Sequence, residues 1–128
     1  MTEEKKKEIA LTFLTALQTR NAIELRSVLT DDAVWSLPGT SAVGGEATGA
    51  EAVVAKGQFL GSHGVNFALL HVLYGWKDVA IMLHNTGQHG DKILDEYLTS
   101  VLSLREEKIQ RIDTYISDVP MLDRFAGA

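Results

Sequence analysis

The chain has no cysteine, only two prolines and no surplus of positive charge. Without cysteine there is no disulfide, no thiolate nucleophile and no cysteine–zinc site. Twelve Lys and Arg stand against 17 Asp and Glu, a net charge of −5, which argues against a nucleic-acid partner. The only basic cluster, Lys5 to Lys7, is flanked by Glu3, Glu4 and Glu8 and reads as a solvated helical turn. No apolar run approaches the roughly 20 residues a membrane helix needs. No signal-peptide pattern opens the chain, so a cytoplasmic setting without a membrane partner is expected. What the chain does have is 45% hydrophobic residues in 128 positions, enough for one domain over 1–128 with a sizeable core.

Helical spacing comes first. Thr2 can cap a helix, with Glu3 and Glu4 in its first turn. Ile9, Phe13, Leu14 and Leu17 then share one face. Arg20-Asn21 reads as a stop, Ala22 to Leu29 as a second short helix, and Asp31-Asp32 as its end. Ala33 to Leu37 is a first strand, broken by Pro38-Gly39. Residues 39–48 hold three glycines and read as a loop. Thr48 with Glu51 resembles a capping box for a third helix, which runs to about Leu60 and is closed by Gly61 to Gly64.

Beyond residue 64 the pattern is strand after strand: Val65–Trp76, Val79–Gln88, Ile93–Leu104 and Ile109–Ile116, with turns at Lys77-Asp78, His89 to Asp91, and Arg105 to Lys108. Three helices and a strand, then four hairpin-linked strands, give a segregated α+β layout. Asp118 to Ala128 reads as a tail anchored by Met121, Leu122 and Phe125.

The order and spacing of Leu29-Thr-Asp-Asp-Ala-Val-Trp-Ser-Leu-Pro-Gly39, Thr48-Gly-Ala-Glu-Ala-Val53, and Lys108-Ile109 followed by Tyr115 resemble the nuclear transport factor 2-like superfamily. That superfamily includes ketosteroid isomerases and SnoaL-like polyketide cyclases. The resemblance covers nearly the whole chain. It implies the cone-shaped cystatin-like fold: three N-terminal helices packed on a curved, mixed, mostly antiparallel sheet. It also implies a homodimer through the outer sheet face, where Tyr74, Trp76, Met82 and Tyr97 supply apolar area. It does not carry over one chemistry, because the scaffold hosts many.

Ketosteroid isomerases use a carboxylate base, a tyrosine and a protonated aspartic acid. By matching, those positions fall on Leu37, Phe13 and near Ser100, none of which can fill its role. The Arg–Asp water-activating set of limonene-type epoxide hydrolases falls near Leu83, Asn85 and Thr114, and is missing too. SnoaL-like cyclases need only an Asp or His acid/base group.

Strand parity supplies the rest. Val79, Ile81, Leu83 and Asn85 share the core face, which leaves His84 outside as an interface residue. Trp35 and Leu37 share a face, and a buried Trp35 indole needs a partner. Asn85 is either structurally bonded or a donor to a ligand carbonyl. His71, mid-strand, is a general base if it points inward and a structural or outer-face residue otherwise. His63 and His89 read as exposed turn residues. With Thr114 inward, Arg111, Asp113 and Tyr115 face outward. A one-residue bulge would invert this and make Asp113 the acid/base candidate. Glu96, Tyr97 and Thr99 carry the same ambiguity.

The expected pocket lining is Phe13, Leu17, Trp35, Leu37, Phe59, Leu83, Asn85, Ser100 and Thr114, suited to a small hydrophobic molecule bearing a carbonyl or hydroxyl. The candidate catalytic residues are His71 and Asp113. No metal spacing occurs, and no cofactor is expected. The functional expectation is a cofactor-free cyclase- or isomerase-type enzyme moving a proton. The alternatives are a non-catalytic ligand-binding protein and a dimeric interaction module.

Overall fold

The computed structural model describes residues 1–127. Helix α1, Glu3–Gln18, is capped by the Thr2 side chain and buries Ile9, Phe13, Leu14 and Leu17. Lys6 is buried on the same helix, and its ammonium donates to the carbonyls of Gly75 (3.0 Å) and Trp76 (3.1 Å). The basic run is therefore no simple solvated turn: its middle lysine pins a distant hairpin to α1.

Helix α2, Ala22–Ser27, starts on an Asn21 cap and is shorter than its sequence suggests. Strand β1 runs Leu29–Leu37, four residues earlier than the apolar run at Ala33 indicates. Asp31-Asp32 does not separate the helix from the strand. It lies inside β1, where the register slips between Leu29 and Val34 and turns both carboxylates to solvent. Arg26 and Arg105 meet them there.

The expected loop 39–48 contains strand β2, Gly45–Thr48, paired antiparallel with β1. The glycines of that stretch hide a short strand that covers the β1 edge. Helix α3, Ala50–Ser62, follows on Gly49 at φ +95° with no side-chain cap. Thr48 does not cap it because it is committed to β2 opposite Val34. Glu51 instead reaches Arg26 at 3.2 Å.

Strands β3 (Val65–Tyr74), β4 (Val79–His89), β5 (Lys92–Arg105) and β6 (Lys108–Ile116) form an antiparallel meander. The six-stranded order is β2-β1-β6-β5-β4-β3, with β1 parallel to β6. The class is thus the expected α+β mixed sheet, with helices on its concave face.

The tail is a further helix, α4, Val119–Ala126, capped by Asp118. Its Leu122 and Phe125 are buried, and Asp123 ties it to the 39–44 turn. That carboxylate accepts from the backbone N–H groups of Thr40 (3.0 Å) and Ser41 (3.1 Å), while Ala42 N–H donates to Gly127 O (2.8 Å).

Candidate functional site

Inward-facing side chains follow from register. On β4, Ile81, Leu83 and Asn85 are buried. On β5 the buried set is Leu94, Glu96, Leu98, Ser100 and Leu102. On β6 a bulge at Gln110 lets both Ile109 and Ile112 point inward, and Thr114 follows Ile112. The slip comes before the site, so Asp113 stays outside. There its carboxylate takes hydrogen bonds from Ser36 Oγ (2.8 Å) and Arg111 Nε (3.0 Å).

His71 also lies outside. From Val65 to Leu69 the odd residues of β3 match the inward residues of β4, with Leu69 opposite Leu83. An extra residue at Leu70 then places His71 opposite outward-facing Met82. Both candidate bases are therefore excluded from the cone interior, His71 by a bulge and Asp113 by the placement of one. His84 faces outward, 2.6 Å from Asp95 and stacked on Tyr97.

The interior cavity is lined by Phe13, Leu17, Trp35, Leu37, Leu83, Asn85, Ser100 and Thr114 among others. Phe59 is the one expected lining residue elsewhere. It stacks on His63 (4.4 Å between rings), and His63 stacks on His89 in turn (4.1 Å), so His63 is no free turn residue. Phe59 also borders a separate crevice with Val43 and Lys56, because α3 turns that side away from the cone axis. Burial lowers the pKa of the Lys56 amine, which donates to the carbonyls of Trp35 (3.3 Å) and Gly45 (3.1 Å).

The cavity has three layers along the strands. At one end the Trp35 indole N–H donates to Thr114 Oγ1 (2.9 Å), and Thr114 Oγ1 lies 2.8 Å from Ser100 Oγ. Phe13 meets Trp35 edge-on at 5.8 Å. The middle layer is the apolar pair Leu83 and Leu98, opposite each other across β4 and β5. At the far end Asn85 stands opposite Glu96.

Glu96 is 2% exposed, and its Oε2 has no hydrogen-bond partner; neither has Asn85 Oδ1. Two orphaned buried oxygens in one place are uncommon in folded proteins. Burial pushes the Glu96 carboxyl up to about 7, and the charge of Asp118 at the head of α4 adds to the rise. A carboxyl that exchanges its proton near neutral pH inside an apolar wall is suited to general acid–base work. The sequence reading leaves Glu96 undecided between the two faces, together with Tyr97 and Thr99, although Glu96 shares parity with Ser100, a residue assigned to the pocket.

The free space between these walls is about 30 Å³, room for little more than a water molecule. A larger guest must part the side chains. Among the described residues no three His, Asp or Glu gather as a metal site would require, and no helix is long and apolar enough to cross a membrane.

No protein-family model matches the chain, and no curated protein matches it either. Solved structures do. Bal32a, from a soil-derived mobile gene cassette, is 24% identical, with a TM-score of 0.91 over 97% of this chain and 98% of that one. An NTF2-like protein from Burkholderia xenovorans LB400 is 21% identical, with a TM-score of 0.84 over 99% of both chains. A SnoaL-like polyketide cyclase from Jannaschia sp. CCS1, so described on a putative basis, is 11% identical, with a TM-score of 0.79 over 98% of this chain and 94% of that one. The chain has the cone-shaped NTF2-like fold that these proteins share.

Proposed function

We propose that this protein is a SnoaL-like, cofactor-free proton-transfer enzyme acting on a small hydrophobic molecule that bears a carbonyl or hydroxyl, with Glu96 as its general acid/base. The observation that carries this reading is the Glu96 carboxyl, buried in the cavity with one oxygen free and a proton affinity near neutrality. As a carboxylate it takes a proton from the carbon beside a ligand carbonyl, and as the acid it returns one. The apolar walls keep bulk water from competing. The test is solvent deuterium exchange at the α-carbon of small cyclic ketones, followed by NMR. Exchange with the native protein that Glu96→Gln abolishes supports the reading. A panel that shows no acceleration with the native protein overturns it.

The narrowness of the cavity favours one alternative, a binding protein that closes round its ligand without transforming it. Ligand-induced stabilisation without exchange would identify that case.

The proposal includes a homodimer through the outer sheet face and a cytoplasmic setting. Tyr97 and Tyr115 are exposed on that face, at 50% and 66%. Trp76 and Tyr74 add exposed aromatic area at the end of the β3–β4 hairpin. Sedimentation of the native protein and of Tyr97→Asp tests the dimer: a dimer reduced to monomer supports it, and a native monomer refutes it.

A further inference from the structure

We infer that Lys56 is a covalent attachment site for a small hydrophobic aldehyde, seated in the crevice between α3 and residues 42–47. No residue lines both that crevice and the cone interior, so the site is independent of Glu96.

The crevice encloses about 300 Å³, the small end of ordinary ligand sites. It has room for a guest as it stands, which the cone interior has not. Val43, Ala47, Ala52, Ala55 and Phe59 make its wall apolar. Glu46 also lines it, with Oε2 held by Arg111 at 2.8 Å. That charge repels an anionic guest and leaves an uncharged, apolar one.

The Lys56 nitrogen is arranged as a neutral amine would be. It donates to Trp35 O (3.3 Å) and Gly45 O (3.1 Å). An ammonium has three hydrogens, but a neutral amine has two, and these acceptors use both. The lone pair is then left on the side that no carbonyl covers. Burial favours the neutral form and outweighs the charge of Glu46, which favours the cation. The Trp35 ring, 5.8 Å away, also favours the cation, at the outer limit of such a contact. Lys6 makes a similar pair of bonds, but at 5% exposure no guest reaches it.

A neutral amine beside an apolar seat forms an imine with an aldehyde. The lone pair attacks the carbonyl carbon. The two amine hydrogens leave with the carbonyl oxygen as water, and a carbon–nitrogen double bond remains. Protonated, the imine keeps one N–H, which serves the part-buried Trp35 carbonyl, while water takes over the exposed one of Gly45. No oxidant, reductant or leaving group beyond water is needed.

The test treats the native protein at pH 7 with hexanal and cyanoborohydride, which fixes the imine as a secondary amine, and maps the adducts by peptide mass. Lys56 should be labelled about tenfold or more faster than exposed Lys77. With glyoxylate, an anionic aldehyde, that ratio should fall to near one. Ala52→Leu, which fills the crevice from α3, should slow Lys56 and leave Lys77 unchanged. Labelling of Lys56 no faster than Lys77, the same ratio with both aldehydes, or an Ala52→Leu protein labelled as fast as the native one would overturn the inference. The comparison of aldehydes within the native protein needs no variant to fold.

Discussion

Glu96 and Asn85 stand opposite each other on β5 and β4, both turned into the cone, and each holds an oxygen that nothing in the protein satisfies. Elsewhere among the described residues, buried side-chain polar groups are partnered, as the Trp35–Thr114–Ser100 chain illustrates. The contrast sets the site apart from the ordinary core.

Glu96 should make stability pH-dependent. Its carboxyl rises from 4.5 unfolded to about 7 folded, so the folded state holds the proton more tightly. The favourable contribution is fully present below 4.5 and is lost as pH rises to about 7, on the order of 1.4 kcal/mol for each pH unit between the two values. Glu96→Gln should flatten the profile in that window and be the more stable protein above it. Urea denaturation across the range measures both effects.

Thr114→Val should cost about 1–3 kcal/mol for each buried group it strands, the Trp35 indole and the Ser100 hydroxyl. A triple change, Trp35→Phe with Thr114→Val and Ser100→Ala, should lose less than the sum of the single changes, because no polar atom is left orphaned. Chemical denaturation of the three single variants and the triple variant reads the difference.

Asp123→Ala should release the 39–44 turn from α4. Two backbone N–H groups lose their acceptor, at about 1–2 kcal/mol in total because the site is partly exposed. Amide exchange should quicken at Thr40 and Ser41 and stay unchanged in the β4–β5 hairpin.

Gly57→Ala tests the close approach of α3 to α1. An added methyl carbon would lie 2.9 Å from both Leu17 and Leu25 side chains. The usual gain of about 1 kcal/mol for alanine over glycine in a helix should therefore be cancelled or reversed by crowding. A melting temperature clearly above the native one would contradict this.

The sequence made the fold legible through its long periodic segments. The α1 face, the four meander strands and their turns are all where hydrophobic spacing puts them. It failed where a local signal had two readings. Asp31-Asp32 marks a bulge within β1 as readily as a helix end, and the glycines before Thr48 disguise a four-residue strand. The orientation of His71 was hidden for a related reason: one extra residue at Leu70 inverts parity, and no residue type announces it. Glu96 is undecided in sequence, with Tyr97 and Thr99, because a one-residue slip turns it either way, and the unbroken β4–β5 register settles it inward with Ser100. The α4 helix was concealed by its shortness, although Asp118 as cap and Pro120 in the first turn mark its start.

The parallel seam between β1 and β6 has a kinetic consequence. Every other pairing in the sheet is between neighbours along the chain, but this one joins residues as far apart as Trp35 and Thr114, 79 positions in sequence. Such contacts carry the largest loop-closure cost and form after the local hairpins. The two tryptophans then act as separate clocks. Trp76, 98% exposed at the β3–β4 turn, is not enclosed by the folding of the single chain, whereas Trp35 enters an apolar wall only when the seam closes. The fluorescence change on refolding should therefore report the moment the cone shuts.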